Sequence, residues 1–83
     1  MTQEDATKIL EAVMTVNSGD NKVEVSAEFG LDSENIPSCH IYIFGTRYTG
    51  GSREIVDSFA SYDRDYTADA FVRRIMKYQE AEA

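Results

Sequence analysis

The segment from Ser38 to Tyr62 constrains the fold of this chain more than any other part of the sequence. Its first half, around Ile41–Phe44, is the most apolar stretch and consists of β-branched and aromatic residues, which are enriched in strands. Gly50 and Gly51 follow, and a double glycine between two apolar runs is typical of a hairpin turn. The segment therefore predicts two antiparallel strands that the rest of the chain must cover.

The sequence does not decide whether residues 53–62, which follow the glycines, form a strand or a helix. The apolar residues of this stretch fit either spacing: Ile55, Val56, Phe59 and Tyr62. Ser52 is also an acceptable N-cap for a short helix. We interpret the stretch as a strand because it follows a hairpin signal.

If residues 53–62 form a strand, a four-residue turn at Thr49–Ser52 fixes the register of the hairpin. The expected pairs are Tyr48 with Arg53, Arg47 with Glu54, Gly45 with Val56, Ile43 with Ser58 and Tyr42 with Phe59. An opposite-charge pair and an aromatic pair both favour this register. It places small side chains beside Ile41 and Ile43 on one face, and an aromatic row on the other: Tyr42, Phe44 and Tyr48, joined by Phe59.

Two segments have the three- and four-residue apolar spacing of amphipathic helices. The first runs from residue 2 to 16, with Thr2 as N-cap, Asp5 three residues later, and Gly19 expected in a left-handed conformation after its end. The second spans residues 68–80 and follows Thr67 as N-cap. The residues expected to face inward are Ala6, Ile9, Leu10, Val13 and Val16 in the first helix and Phe71, Val72, Ile75, Met76 and Tyr78 in the second.

Residues 22–29 alternate between apolar and polar side chains, which predicts a half-buried strand. The outward positions are Lys22, Glu24, Ser26 and Glu28, so the exposed row of this strand is acidic. The next segment, residues 30–37, is rich in turn-forming residues and carries Asp32 and Glu34.

The order of elements is helix, strand, strand, strand, helix within 83 residues, which predicts a single α+β domain over 1–83. We expect an antiparallel three-stranded sheet flanked by two helices. Two arrangements remain: the helices cover the Ile41 and Ile43 face and leave the aromatic face open, or they pack on the aromatic face.

The net charge of −7 is concentrated in the first part of the chain. Residues 1–35 contain eight acidic and two basic residues, a net charge of −6, whereas residues 36–83 contribute only −1. A negative field of this kind repels nucleic acid and favours a partner with a basic surface. The alternative explanation is that these acidic residues only keep the protein soluble.

No motif for catalysis, metal binding or cofactor binding emerges from the sequence. Cys39 and His40 are adjacent in a strand, so their side chains point to opposite faces and cannot form a catalytic dyad. Residues 63–69 begin like a calcium loop but lack the glycine and glutamate that such a loop needs. Residues 45–52 resemble a P-loop but carry Gly51 at the lysine position. We therefore expect no enzymatic activity, no metal and no cofactor.

The order of elements resembles that of the double-stranded-RNA-binding domain. That family carries a lysine cluster at the start of its second helix, where it contacts phosphates. Residues 67–71 contain no basic residue, and Arg73, Arg74 and Lys77 come later in the helix. The chain thus departs from the family where RNA would bind.

In its small size, acidity, order of elements and lack of catalytic motifs, the chain resembles small acidic phage-encoded inhibitors of host proteins, anti-CRISPR proteins above all. This resemblance implies binding to a host protein that handles nucleic acid, such as a CRISPR effector or a nuclease, with carboxylates in place of phosphates. The residues expected to bind the partner are Glu24, Glu28, Asp32, Glu34, Tyr42, Phe44 and Tyr48.

The alternative is a small phage or bacterial interaction module, monomeric or homodimeric, without nucleic-acid mimicry. Cytoplasmic residence is expected in either case, which for a phage protein means the cytoplasm of the host. The single Cys39 allows no internal disulfide, residues 1–5 do not begin a signal peptide, and no stretch has the roughly 20 apolar residues of a membrane span.

Overall fold

The computed structural model describes residues 1–19, 23–45 and 54–80, and it confirms the predicted α+β fold and order of elements. The elements are α1 (Gln3–Ser18), β1 (Glu24–Leu31), β2 (Pro37–Phe44), β3 (Ile55–Ala60) and α2 (Ala68–Glu80). The strands form one antiparallel sheet in the order β1-β2-β3, so β2 is central and residues 55–60 are a strand rather than a helix.

The predicted start of α1 is confirmed by a capping box. The Thr2 hydroxyl accepts a hydrogen bond from the Asp5 N–H at 3.0 Å, and the Asp5 carboxylate accepts one from the Thr2 N–H at 3.5 Å. The end of the helix differs from the prediction, because Gly19 has φ −84° and ψ −178° and is extended rather than left-handed. The Gly19 N–H donates a hydrogen bond to the C=O of Val16 at 3.2 Å, which closes the helix without a left-handed residue at this position.

The inward face of α1 is shifted slightly from the predicted one. Ala12 is buried together with Ile9, Val13 and Val16, whereas Leu10 is 48% exposed. The inward face of α2 is as predicted, with Phe71 and Ile75 buried in the core. Thr67 caps α2, because its hydroxyl accepts a hydrogen bond from the Ala70 N–H at 3.0 Å.

The register of β3 against β2 is displaced by one residue from the predicted one. Ile43 pairs with Asp57 and Ile41 with Phe59, and a bulge separates these pairs from the pairing of Phe44 with Ile55. A one-residue slip moves every side chain of a strand to the other face. The predicted pairs that involve residues 46–53 lie outside the described residues.

Burial of Phe59 explains the observed register. Its ring lies 4.8 Å from that of Phe71 and is 5% exposed, whereas the predicted register would have placed Ala60 in this position opposite Ile41. Burying a phenylalanine side chain is favourable by roughly 1.5–3 kcal/mol, which the single methyl group of an alanine cannot supply. The aromatic row predicted on the other face therefore loses Phe59.

Both helices pack on the same face of the sheet, here called the covered face. Its strand residues in the core are Val25 of β1, Cys39, Ile41 and Ile43 of β2, and Phe59 of β3. The Asn17 side chain at the end of α1 ties that helix to the sheet, because its amide bonds both the C=O and the N–H of Val25, at 2.8 and 2.9 Å. The opposite face is covered by neither helix.

Candidate protein-binding surface

The face opposite the helices, here called the open face, carries a stack of three rings along β2. Side chains two residues apart in a strand point the same way, which places His40, Tyr42 and Phe44 in one row. The His40 and Tyr42 rings are 4.2 Å apart and nearly parallel, at 2°, and the Tyr42 and Phe44 rings are 6.4 Å apart at 21°. All three side chains are half-buried, so the stack is ordered but remains accessible.

Two of the predicted acidic residues lie beside this ring stack. Glu24 is the cross-strand partner of Phe44, and Glu28 is the cross-strand partner of His40. Ser26 lies between them, opposite Tyr42. The open face therefore presents rings in its centre and carboxylates along the β1 side, which the alternation of residues 22–29 predicted.

The other two predicted acidic residues lie in the turn between β1 and β2. Asp32 shapes this turn, because its Oδ1 accepts hydrogen bonds from the N–H groups of Glu34 at 2.8 Å and Ile36 at 3.0 Å. Asn35 takes the left-handed conformation with φ 62°, which asparagine tolerates well. Asp32 thus has a structural role, while the Glu34 side chain is exposed.

A shallow open groove of about 680 Å³ lies at the turn, lined by Leu31, Asp32, Ser33, Glu34 and Tyr62. Its walls combine two exposed apolar side chains, Leu31 and Tyr62, with two carboxylates. We call it the acidic groove. Such a lining suits a long cationic side chain, whose stem is apolar and whose end is charged.

His40 and Tyr62 connect the ring stack to the acidic groove, and sequence reasoning did not select either of them. The Tyr62 hydroxyl lies 3.1 Å from His40 Nδ1, and the two rings meet edge to face at 6.1 Å. The correct register would have revealed this contact, because Ala60 pairs with His40 and Tyr62 follows two residues later on the same side. The predicted register, wrong by one residue, put Phe59 opposite Tyr42 on this face and left Tyr62 on the other.

The structure thus brings most of the predicted binding residues to one side of the molecule. Glu24, Glu28, Tyr42 and Phe44 lie on the open face, and Asp32 and Glu34 lie at its end. Tyr48 lies outside the described residues.

The buried thiol of Cys39 is unsuited to nucleophilic chemistry. It lies on the covered face, 1% exposed, and burial raises its pKa to about 11. A thiol with so high a pKa is hardly ionised at neutral pH. Within residues 1–19, 23–45 and 54–80, no three histidine, cysteine or carboxylate side chains are grouped so that they could hold a metal ion.

A second polar cluster holds α2 against β3 on the covered face. The Arg74 guanidinium forms a two-pronged ion pair with the Asp57 carboxylate and lies over the Phe59 ring at 4.2 Å, and the Tyr78 hydroxyl donates to Asp57 at 3.1 Å. Burial alone would raise the pKa of Asp57, but the hydrogen bonds from Arg74 and Tyr78 outweigh it and lower that pKa. This cluster stabilises the packing of the helix on an edge strand.

Comparison of the chain with models of known protein families, with curated proteins and with solved structures gave no match. None of the helices in the described ranges is long and apolar enough to cross a membrane.

Proposed function

We propose that this protein is a non-enzymatic inhibitor that binds a host protein through its open face and acidic groove. The target is a protein that handles nucleic acid, of the kind that anti-CRISPR proteins block. Its basic nucleic-acid-binding surface is occupied by the carboxylates of Glu24, Glu28, Asp32 and Glu34.

The observation that carries this proposal is the ordered ring stack with carboxylates beside it. Tyr42 and Phe44 are held against their neighbours, so little side-chain entropy remains to be lost when a partner docks on them. Aromatic side chains dominate the binding energy of many interfaces, and surrounding charges mainly raise the rate and specificity of association. The open face offers both.

The acidic charge suits a nucleic-acid-binding partner for a simple electrostatic reason. Surfaces that bind nucleic acid are lined with lysine and arginine, and they bind phosphates in a strongly salt-dependent manner. A folded body with outward carboxylates can associate with such a surface quickly and compete with nucleic acid for it.

The test compares two double charge reversals of equal size. Glu28→Lys with Glu34→Lys changes exposed acids beside the ring stack and at the acidic groove. Glu11→Lys with Asp65→Lys is the matched control, because both residues are exposed and lie on α1 and on the segment before α2, away from the open face. Each protein is used as bait in host lysate, at low and at high salt, with and without added nucleic acid.

We expect the wild type and the control to retain the same nucleic-acid-handling protein, less of it at high salt or with added nucleic acid. The Glu28→Lys, Glu34→Lys variant should lose at least about tenfold in affinity for that protein, since like charges now face each other. Equal affinity of the two variants for that protein, or binding that added nucleic acid does not reduce, would contradict the proposal.

A homodimer is the second candidate, and one observation favours it. Ile55 and Val56 are about half exposed on β3, an edge strand that pairs only with β2 in the described sheet. Edge strands with exposed apolar side chains are prone to pair with another chain. Sedimentation at several concentrations separates the candidates, because a stable dimer that Val56→Lys dissociates would favour this one.

A further inference from the structure

His40 lies at the junction of the ring stack and the acidic groove, and it is the single histidine of the chain. Its Nδ1 is 3.1 Å from the Tyr62 hydroxyl, and its ring is stacked on Tyr42. Its Nε2 is shielded from solvent and has no hydrogen-bond partner among the described residues. One nitrogen is therefore satisfied and the other is enclosed.

This geometry suits a neutral imidazole and opposes a cationic one. A neutral ring with its proton on Nδ1 donates to Tyr62 and leaves only a lone pair at the enclosed Nε2. A protonated ring carries N–H groups on both nitrogens, and the N–H at Nε2 would be buried without an acceptor. Since a buried unpaired donor on a charged group is costly, protonation in this position is opposed, and the cost is relieved when the ring rotates to expose Nε2.

The groups around His40 favour a specific movement. From β1, the exposed carboxylate of Glu28 faces it as cross-strand partner. From the β3 side, Ala60 is its partner and Tyr62 its hydrogen-bonding neighbour, and within β2 its neighbour is Tyr42. The helices pack on the other face of the sheet. Glu28 is thus a carboxylate placed to attract a protonated, rotated imidazole, while Asp32 and Glu34 line the groove beside Tyr62 and the Asp63 carboxylate accepts a hydrogen bond from the Ala60 N–H.

We propose that His40 and Tyr62 form a pH-sensitive latch, which holds the Tyr62 wall of the acidic groove while His40 is neutral and releases it when His40 is protonated. Histidine is the side chain whose charge can change near neutral pH, which makes it the group able to operate such a latch. Opening also adds a positive charge to the open face. Both effects should weaken the docking of a basic partner at low pH. This consequence rests on the proposed function.

The latch itself is tested on the free protein by NMR. The ring signals of His40 and of the residue at position 62 are followed from about pH 8 to about pH 5, the range of histidine titration, in the wild type, in His40→Gln and in Tyr62→Phe. We expect the Tyr62 ring signals to shift together with the His40 signals, with one common midpoint, and to stay constant in His40→Gln. Tyr62→Phe keeps the ring but not the hydroxyl, so its ring signals at position 62 should respond less to the titration of His40 than those of Tyr62, with only the through-space effect of the imidazole left.

Tyr62 signals that do not change while His40 titrates would overturn the latch. Tyr62 signals that change equally in His40→Gln would overturn it too, because carboxylates would then be responsible. Both substitutions are on the open face, and folding of each variant is checked by its unfolding curve before the titration.

Binding is tested separately with an arginine-rich peptide as the probe. The wild type should bind it about fivefold more weakly at pH 5.5 than at pH 7.5, a modest coupling between two sites, and His40→Gln should bind equally at both. If wild type and His40→Gln respond to pH alike, the regulatory role is refuted. Because the NMR experiment needs no partner, failure of the latch and failure of the proposed function are distinguishable.

Discussion

The covered and open faces of the sheet are built from the same three strands, yet they hold their side chains for different reasons. Ile41 and Ile43 on the covered face are fully enclosed by both helices, whereas Tyr42 and Phe44 between and beyond them are half-buried on the open face. Removal of apolar surface from water accounts for the first arrangement. The second leaves large rings accessible in an ordered stack, which the core does not require.

The largest expected effect separates the two faces by stability. Ile41→Ala removes a fully buried side chain and should lower the free energy of unfolding by about 2–5 kcal/mol. Tyr42→Ala removes cross-strand contacts on the open face and should lower it by only about 1 kcal/mol. Urea unfolding of both variants measures the difference. If both variants lost the same free energy of unfolding, the open face would belong to the core, and the distinction between the two faces would be wrong.

A smaller effect sharpens the description of the covered face through pH. The pKa of Asp57 is lowered in the folded state, so its carboxylate stabilises the fold above the pKa of the unfolded chain, near 4, and this contribution is lost as pH falls through the folded value. Asp57→Asn should therefore lower the free energy of unfolding by about 1–2 kcal/mol at pH 7. This is the contribution of a hydrogen bond to a charged group, reduced because Arg74 is half exposed and solvent screens its charge.

The destabilisation by Asp57→Asn should shrink as the pH falls from about 5 through the folded pKa of Asp57, below which the wild-type carboxylate is protonated as well. Urea unfolding at a series of pH values across this range gives the curve. A loss of stability that is the same at both ends of the series would show that the ion pair with Arg74 does not contribute.

The smallest effect concerns Gly45, next to the bulge in the pairing of β2 with β3. A Cβ added at Gly45 would lie 2.7 Å from Cγ1 of Val56, so Gly45→Ala forces Val56 aside. Because Val56 is half exposed and can shift, we expect a loss of about 1 kcal/mol, the low end for overpacking. Adding Val56→Ala should restore most of it in a double-mutant cycle. If the losses of stability in Gly45→Ala and Val56→Ala were simply additive, the clash would not be between these two side chains.

Local signals predicted the helices well, and the long-range pairing of β3 was the part that the sequence did not reveal. The capping box at Thr2 and the N-cap at Thr67 depend on residues a few positions away, which a sequence shows directly. The register of β3 depends on Phe59 meeting Phe71 and on a bulge next to Ile43, neither of which a hairpin pattern contains. Turn length alone gave a register that was wrong by one residue.

The same distinction applies to the binding surface. Alternation within β1 correctly grouped Glu24 with Glu28, and alternation within β2 grouped Tyr42 with Phe44, because side-chain direction in a strand has a period of two residues. That the two rows share the open face depends on the pairing of β1 with β2, which the sequence did not reveal. The contact between His40 and Tyr62 could not be predicted, since it requires the true register of the third strand.

The central claim, that the open face is where a partner docks, is tested most directly by hydroxyl-radical footprinting. The reactivity of individual side chains is measured with and without the protein that the wild-type bait retains. We predict that Tyr42 and Tyr62 become protected, whereas Leu10 and Met14, exposed by 48% and 59% on α1, react as before. Protection of Leu10 and Met14 with unchanged Tyr42 and Tyr62 would contradict the claim.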